Sequence, residues 1–178
     1  ISAQISTIYE RSRRRGKRPL IIAGGGHTPA GAIAFRDAGI SVFDEVGDAS
    51  IYVASGTGAT QGGLEAAAAT VDADVQVVGV SVARVGERGV LAVEEAAGWA
   101  GYAPTSVTFR DEFTAGGYGQ CDEGTERALE LGWRFGLPLD PTYTAKAFAG
   151  LLADSQEGAL GERTVFWHTG GLANWLAR

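Results

Sequence analysis

Four short stretches of this 178-residue sequence carry groups that could do chemistry. In IYVASGTGATQGGL, an apolar run breaks into Gly56, Thr57, Gly58, Ala59 and Thr60, then restarts as an Ala-rich segment suited to a helix. Small residues at a helix N-terminus expose backbone N–H groups, and the helix dipole favours an anion there. Thr57 and Thr60 add hydroxyl donors, so the loop suits a single phosphate. The same residues would also serve a tight strand–helix turn in which packing demands small side chains. The loop is neither a dinucleotide fingerprint nor a P-loop: the third glycine of GxGxxG is missing, and no Gly-Lys-Ser/Thr follows. AGGYGQCDEGT sets Tyr118 between glycines, which fits an aromatic ring facing a ligand or a packed loop residue. LDPTYTAKAFAG puts Tyr143 and Thr144 in the first turn of a helix, and WHTGG puts His168 and Thr169 at a strand end.

The intervening sequence predicts the elements that hold these groups. Ile1, Ile5 and Ile8 share a helical face that ends near Gly16. RPLIIAGGG predicts a short strand, and TPAGAIAFRDAG a helix with Thr28 as N-cap and Pro29 at its first position. Strands follow at ASIYVASG, DVQVVGVSVA, TSVTFRD and ERTVFW; helices follow at GLEAAAATVD, ERGVLAVEEAAGWAG, DEGTERALELGWRFG, LDPTYTAKAFAGLLAD and the chain's close. Gly136 is the expected C-cap of the third of these helices, and Asp140 before Pro141 starts the fourth. Strands alternating with helices predict a doubly wound α/β domain, with a mostly parallel sheet and helices on both faces. Ligands in such sheets bind beyond the carboxyl ends of the strands. The turns after Ala23, Ala54 and Trp167 are therefore expected to converge on one cleft.

Charge and composition exclude several classes. A formal charge of -6 repels nucleic-acid phosphates and anionic membranes, and the basic run RSRRRGKR reads as the solvated end of a helix. No apolar stretch approaches the roughly 20 residues that span a bilayer. Cys121 is alone, which excludes a disulfide framework and fits a reducing cytoplasm. Two histidines and no carboxylate pair at ligand spacing leave no metal site. Met is 0, which fits a processed N-terminus or, at least as well, a part of a longer chain.

Taken together and in order, GGGHTPAGAIAF, VASGTGATQGGL, GGYGQCDEGTERAL with LDPTYTAKAFAGLL, and VFWHTGGL resemble the pyridoxal-phosphate enzymes of the D-cysteine desulfhydrase and 1-aminocyclopropane-1-carboxylate deaminase family. The resemblance runs over nearly the whole chain and matches the C-terminal half or so of such an enzyme. It implies the tryptophan-synthase-β-like fold, incomplete here, as one cofactor-binding domain over residues 1–178. It also implies pyridoxal 5'-phosphate as cofactor, a small amino acid as substrate and a homodimer in the complete protein. By position, the backbone of Gly56, Thr57, Gly58, Ala59 and Thr60 would cradle the phosphate, and a side chain at Gly58 would stand where it approaches. Tyr143 would lie near the pyridine ring, Tyr118 would face the substrate as an acid or base, and Thr169, with Thr144, would approach the ring nitrogen. Tyr118 and Tyr143 are the candidate catalytic residues.

The departure is the lysine that this family joins to the cofactor, which belongs to the N-terminal part. Only Lys17 and Lys146 exist here, and neither stands at that position, so the chain by itself is expected to be inert. At the residue after Tyr143 the ring-opening deaminases carry glutamate, where this chain has Thr144. A hydroxyl beside the ring nitrogen leaves it largely neutral and makes a weaker electron sink. That suffices for a leaving thiolate, so the expectation is α,β-elimination from an amino acid such as D-cysteine, giving pyruvate, ammonia and sulfide. Cyclopropane opening and cysteate sulfo-lyase activity are the alternatives; a non-catalytic phosphate-binding module and an oligomerisation domain are those of other classes.

Overall fold

The computed structural model describes residues 2–176 of the chain. The first helix is α1 (Ser2–Arg14), followed by a 3-10 turn at Gly24–Gly26 and α2 (Pro29–Val46). Then come β1 (Ala49–Ser55), α3 (Ala59–Ala68), β2 (Val75–Ser81), α4 (Gly86–Trp99) and β3 (Thr108–Arg110). The remainder is α5 (Glu123–Arg134), α6 (Thr144–Gln156), β4 (Thr164–Trp167) and α7 (Leu172–Leu176). Ile1, the first of the three isoleucines expected on one helical face, lies outside the described residues. Ile5 and Ile8 are exposed on α1.

The sheet has the order β3-β2-β1-β4, and every neighbouring pair is parallel. Alternation along β1 decides which helices cover which face. Ile51 and Val53 pack with Phe43 of α2 and with Leu64 and Ala67 of α3. Tyr52 points the other way and packs with Val80 and Ala147 of α6. Both faces of β1 and β2 are thereby covered, which is why these strands read as nearly continuous apolar runs. Progression from β1 to β3 runs in one direction and β4 returns to the other side of β1, so strand order reverses beside β1.

Local signals explain the helix ends. Gly31 N donates to Thr28 Oγ1 at 3.1 Å, closing the expected N-cap of α2 with Pro29 in its first turn. That helix runs on past Gly39 to Val46 because Gly39 is a packing site: a β-carbon there would stand 2.6 Å from Ala67 Cβ. At the other face Tyr52 Oη and Arg110 Nη1 each donate to the Asp154 carboxylate at 2.5 Å, which pins α6 to β1 and β3.

The strand expected at RPLIIAGGG does not form. Residues 17–23 have no ladder partner among the described strands, and Leu20, Ile21 and Ile22 are exposed. A strand needs a neighbour to take up its N–H and C=O groups, and the described sheet presents none at this segment.

Candidate functional site

The glycine turns expected to converge do so. A cleft of about 430 Å³ opens at the carboxyl ends of β1, β2 and β4, beside the point where strand order reverses. Its walls are Gly25 of the 3-10 turn, Ala54, Gly56, Thr57 and Thr60 after β1, and Val82, Ala83 and Arg84 after β2. Tyr118, Tyr143 and Thr169 complete it. Gly25 and Thr57 fit closely: a β-carbon on Gly25 would stand 2.7 Å from Thr57 Cγ2.

Among the described residues, the backbone N–H groups of Thr57, Gly58, Ala59 and Thr60 donate to no protein acceptor. Those of Gly58, Ala59 and Thr60 are among the orphan donors at the start of α3, and Thr57 immediately precedes its N-cap. The Ser55 hydroxyl next to them is buried and also without a partner. Gly56 has its missing side chain on the cleft side, where a β-carbon would stand 3.5 Å from Val82 and 3.8 Å from Tyr143. Gly58 differs from expectation. Its φ is +97°, and a β-carbon would meet the Ala92 carbonyl at 2.7 Å, so a side chain there would strike α4 and not an anion in the cleft. The glycine at that place is required by helix packing. Ala59 is buried as the first residue of α3.

Tyr118 and Tyr143 meet at the mouth. Their hydroxyls lie 2.5 Å apart and their rings pack edge to face, 5.8 Å between centroids. Burial, reinforced by the Tyr118 hydroxyl, pushes the Tyr143 phenol up to about 12. Tyr143 is therefore neutral at ordinary pH.

Asp140 holds this wall in place. It is fully buried, and its carboxylate accepts from the N–H groups of Thr142, Tyr143 and Thr144 and from Asn174 Nδ2. Gly171 lies against the same carboxylate. His168 fixes the other end of that turn, accepting from Gly170 N at Nδ1 and facing the Pro138 carbonyl at 3.1 Å through Nε2.

Thr144 does not reach the cleft. It is 1% exposed, accepts from Asp140 N at 2.7 Å and donates to Asp140 Oδ1 at 2.8 Å. Its hydroxyl closes the first turn of α6, leaving Thr169 as the hydroxyl on this side of the cleft.

A solved structure described as that of an ACC deaminase homologue matches with a TM-score of 0.82 and 34% identity, over 95% of this chain and 54% of that one. D-cysteine desulfhydrase of Salmonella paratyphi B is 34% identical over 181 residues, which is 95% of this chain and 55% of that enzyme. A Pyrococcus horikoshii protein provisionally named 1-aminocyclopropane-1-carboxylate deaminase is 36% identical, over 93% of this chain and 53% of its own length.

The chain is homologous to the ACC deaminase and D-cysteine desulfhydrase family. It spans about half the length of the curated relatives it matches. No family model matches it.

Three residues in and around the cleft escape a motif reading. Arg84 is the one cation lining the cleft among the described residues, and its place after β2 follows the same carboxyl-end rule that marks Thr57 and Thr169. Asp140 reads in sequence as a helix start and no more. Lys146 reads as an ordinary helical lysine, yet it is fully buried. Cys121 is exposed and free; among the described residues no group of three metal-ligating side chains occurs and no helix is long and apolar enough to cross a membrane.

Proposed function

We propose that the full-length protein is a pyridoxal-phosphate-dependent lyase that carries out α,β-elimination on a small amino acid, as a D-cysteine desulfhydrase does. The observation that carries this reading is the convergence of unsatisfied amides and a tyrosine pair in one cleft of a chain homologous to this family.

The residues present fit the cofactor. The partnerless N–H groups of residues 57–60 suit its phosphate, with the Thr57 and Thr60 hydroxyls beside them. Tyr143 is available to the ring, and Thr169 is the hydroxyl available to the ring nitrogen. Bound pyridoxal phosphate would supply an electron sink for negative charge at the substrate's α-carbon. The chain's own part is binding and proton transfer. Arg84 offers a guanidinium to a carboxylate, with which it can pair bidentately. Tyr118 Oη sits at the open end of the cleft and can take or give a proton there, with Tyr143 Oη, held neutral by its surroundings, as its hydrogen-bonded relay. A hydroxyl partner for the ring nitrogen favours an easily departing β-substituent, so a thiolate leaves as sulfide, and water hydrolyses the released enamine to pyruvate and ammonia. The lone-phosphate reading shares the free amides but gives the tyrosine pair no task. A homodimer is the proposed state of the complete protein.

The test is to assay the full-length enzyme with D-cysteine, L-cysteine, cysteate and 1-aminocyclopropane-1-carboxylate in parallel. Sulfide and pyruvate from D-cysteine are expected. Efficient ring opening without sulfide release would overturn the substrate assignment. The 178-residue chain alone, given pyridoxal phosphate, is expected to turn over no amino acid faster than the free cofactor; a faster rate would mean that one of its two lysines does the family's lysine chemistry.

A further inference from the structure

Lys146 is a charged side chain with no exposed surface and no ion-pair partner among the described residues. Its ammonium donates to three backbone carbonyls: Val82 at 3.0 Å, Thr114 at 2.7 Å and Gly117 at 2.7 Å. An ammonium has three N–H donors, so all are used. One acceptor lies just after β2, the other two in the loop that carries Tyr118. That loop bends its carbonyls inward through left-handed backbone at Ala115 (φ +53°), Gly116 (+85°), Gly117 (+143°) and Gly119 (+73°). Ala115 is the only non-glycine residue with positive φ among those described, a conformation that costs energy and persists where something else holds it. Lys146 also stands one helical turn after Tyr143, on the same face of α6.

We propose that Lys146 is the positioning residue of the tyrosine pair: its ammonium ties the 114–117 loop to Val82 and so seats Tyr118 against Tyr143. One helix then supplies both one phenol and the tether that delivers the other. Burial lowers the pKa of this ammonium, and Cys121, Asp122 and Asp140 are the titratable groups that oppose that shift. The bearing on catalysis rests on the reading of the tyrosines given above; the geometry of the tether does not, and its test needs neither cofactor nor turnover.

The experiment is a double-mutant cycle in the full-length protein, with Lys146→Met and Tyr118→Phe, read by the alkaline titration of Tyr143 as the absorbance difference against Tyr143→Phe. With Lys146 present, Tyr118→Phe lowers the Tyr143 midpoint. In folded K146M the midpoint is already lowered, Tyr118→Phe no longer moves it, and amide exchange of peptides spanning 112–119 speeds up at least about tenfold while β1 keeps its rate. Persistence of the coupling in folded K146M would overturn the proposal, because a lysine that only stabilises the fold leaves the pair intact. Should K146M not fold, the wild-type ammonium decides. Held by three carbonyls, it gives a slowly exchanging ε-NH3+ resonance; an ammonium exchanging at the solvent rate would refute the tether.

Discussion

Gly171 stands so close to Asp140 that a β-carbon on it would fall 2.3 Å from Asp140 Oδ1. The same carboxylate holds the first turn of α6, so the turn bearing Thr169 and the helix bearing Tyr143 share one buried anchor. Gly171→Ala forces these two walls apart, and its φ of +93° adds strain. The expected result is a loss of about 2–4 kcal/mol of stability together with weaker cofactor retention. Urea unfolding and absorbance of the reconstituted full-length protein measure the two effects; an unchanged protein by both measures would show that the turn is free of Asp140.

Gly56 and Gly58 are two residues apart but answer different questions. Gly58→Ala drives a methyl into the α4 backbone and is expected to destabilise the fold by about 2–4 kcal/mol whether or not a phosphate is present. Gly56→Ala meets only ordinary contacts, so its melting temperature stays near that of the wild type while its methyl reduces the room beside Tyr143. Thermal melts of both variants, with and without pyridoxal phosphate, separate them. The reverse ranking would mean the loop sits differently against α4.

The two threonines should also part company. Thr144→Val removes a hydroxyl that both accepts from and donates to Asp140 in a buried place, at an expected cost of about 1–3 kcal/mol. Thr169→Val is expected to leave stability nearly unchanged and instead to alter the absorbance of the bound cofactor. A spectral change in Thr144→Val equal to that in Thr169→Val, without loss of stability, would place Thr144 back in the cleft.

Alkaline pH tests the buried phenols. Tyr143 is pushed up to about 12, and Tyr52 is raised by burial and by its hydrogen bond to Asp154. An unfolded tyrosine ionises near 10, so both groups favour the folded state fully below about pH 10. That contribution is lost as pH rises through the folded values. Unfolding free energy is therefore expected to fall between about pH 10 and 12, less steeply in Tyr143→Phe. A profile that is flat across this window, or identical in the variant, would show that Tyr143 titrates like a solvated phenol.

Periodicity and punctuation made much of the architecture legible in the sequence. Apolar runs that stop just before Gly56 and His168 announce strands that end where the cleft opens, and Thr28 with Pro29 announces a helix start, because these signals act within a few residues. The carboxyl-end rule then gathers distant turns into one place without any knowledge of side-chain contacts. What the sequence could not determine depends on partners far along the chain. RPLIIAGGG has a strand's composition, but pairing requires a neighbouring edge, and none is present in the described sheet. Thr144 looks like a site residue beside Tyr143, yet helix geometry turns it inward to Asp140. Gly58 looks as if it lacks a side chain to make room for a phosphate, yet it is α4 that a β-carbon there would strike. Nothing near Lys146 in the sequence names its partners, and only the folded chain brings Val82, Thr114 and Gly117, which lie 29 to 64 residues away from it, around its ammonium. Local patterns fix backbone conformation; the direction a side chain faces, and what receives it, is settled by packing between elements that the sequence keeps far apart.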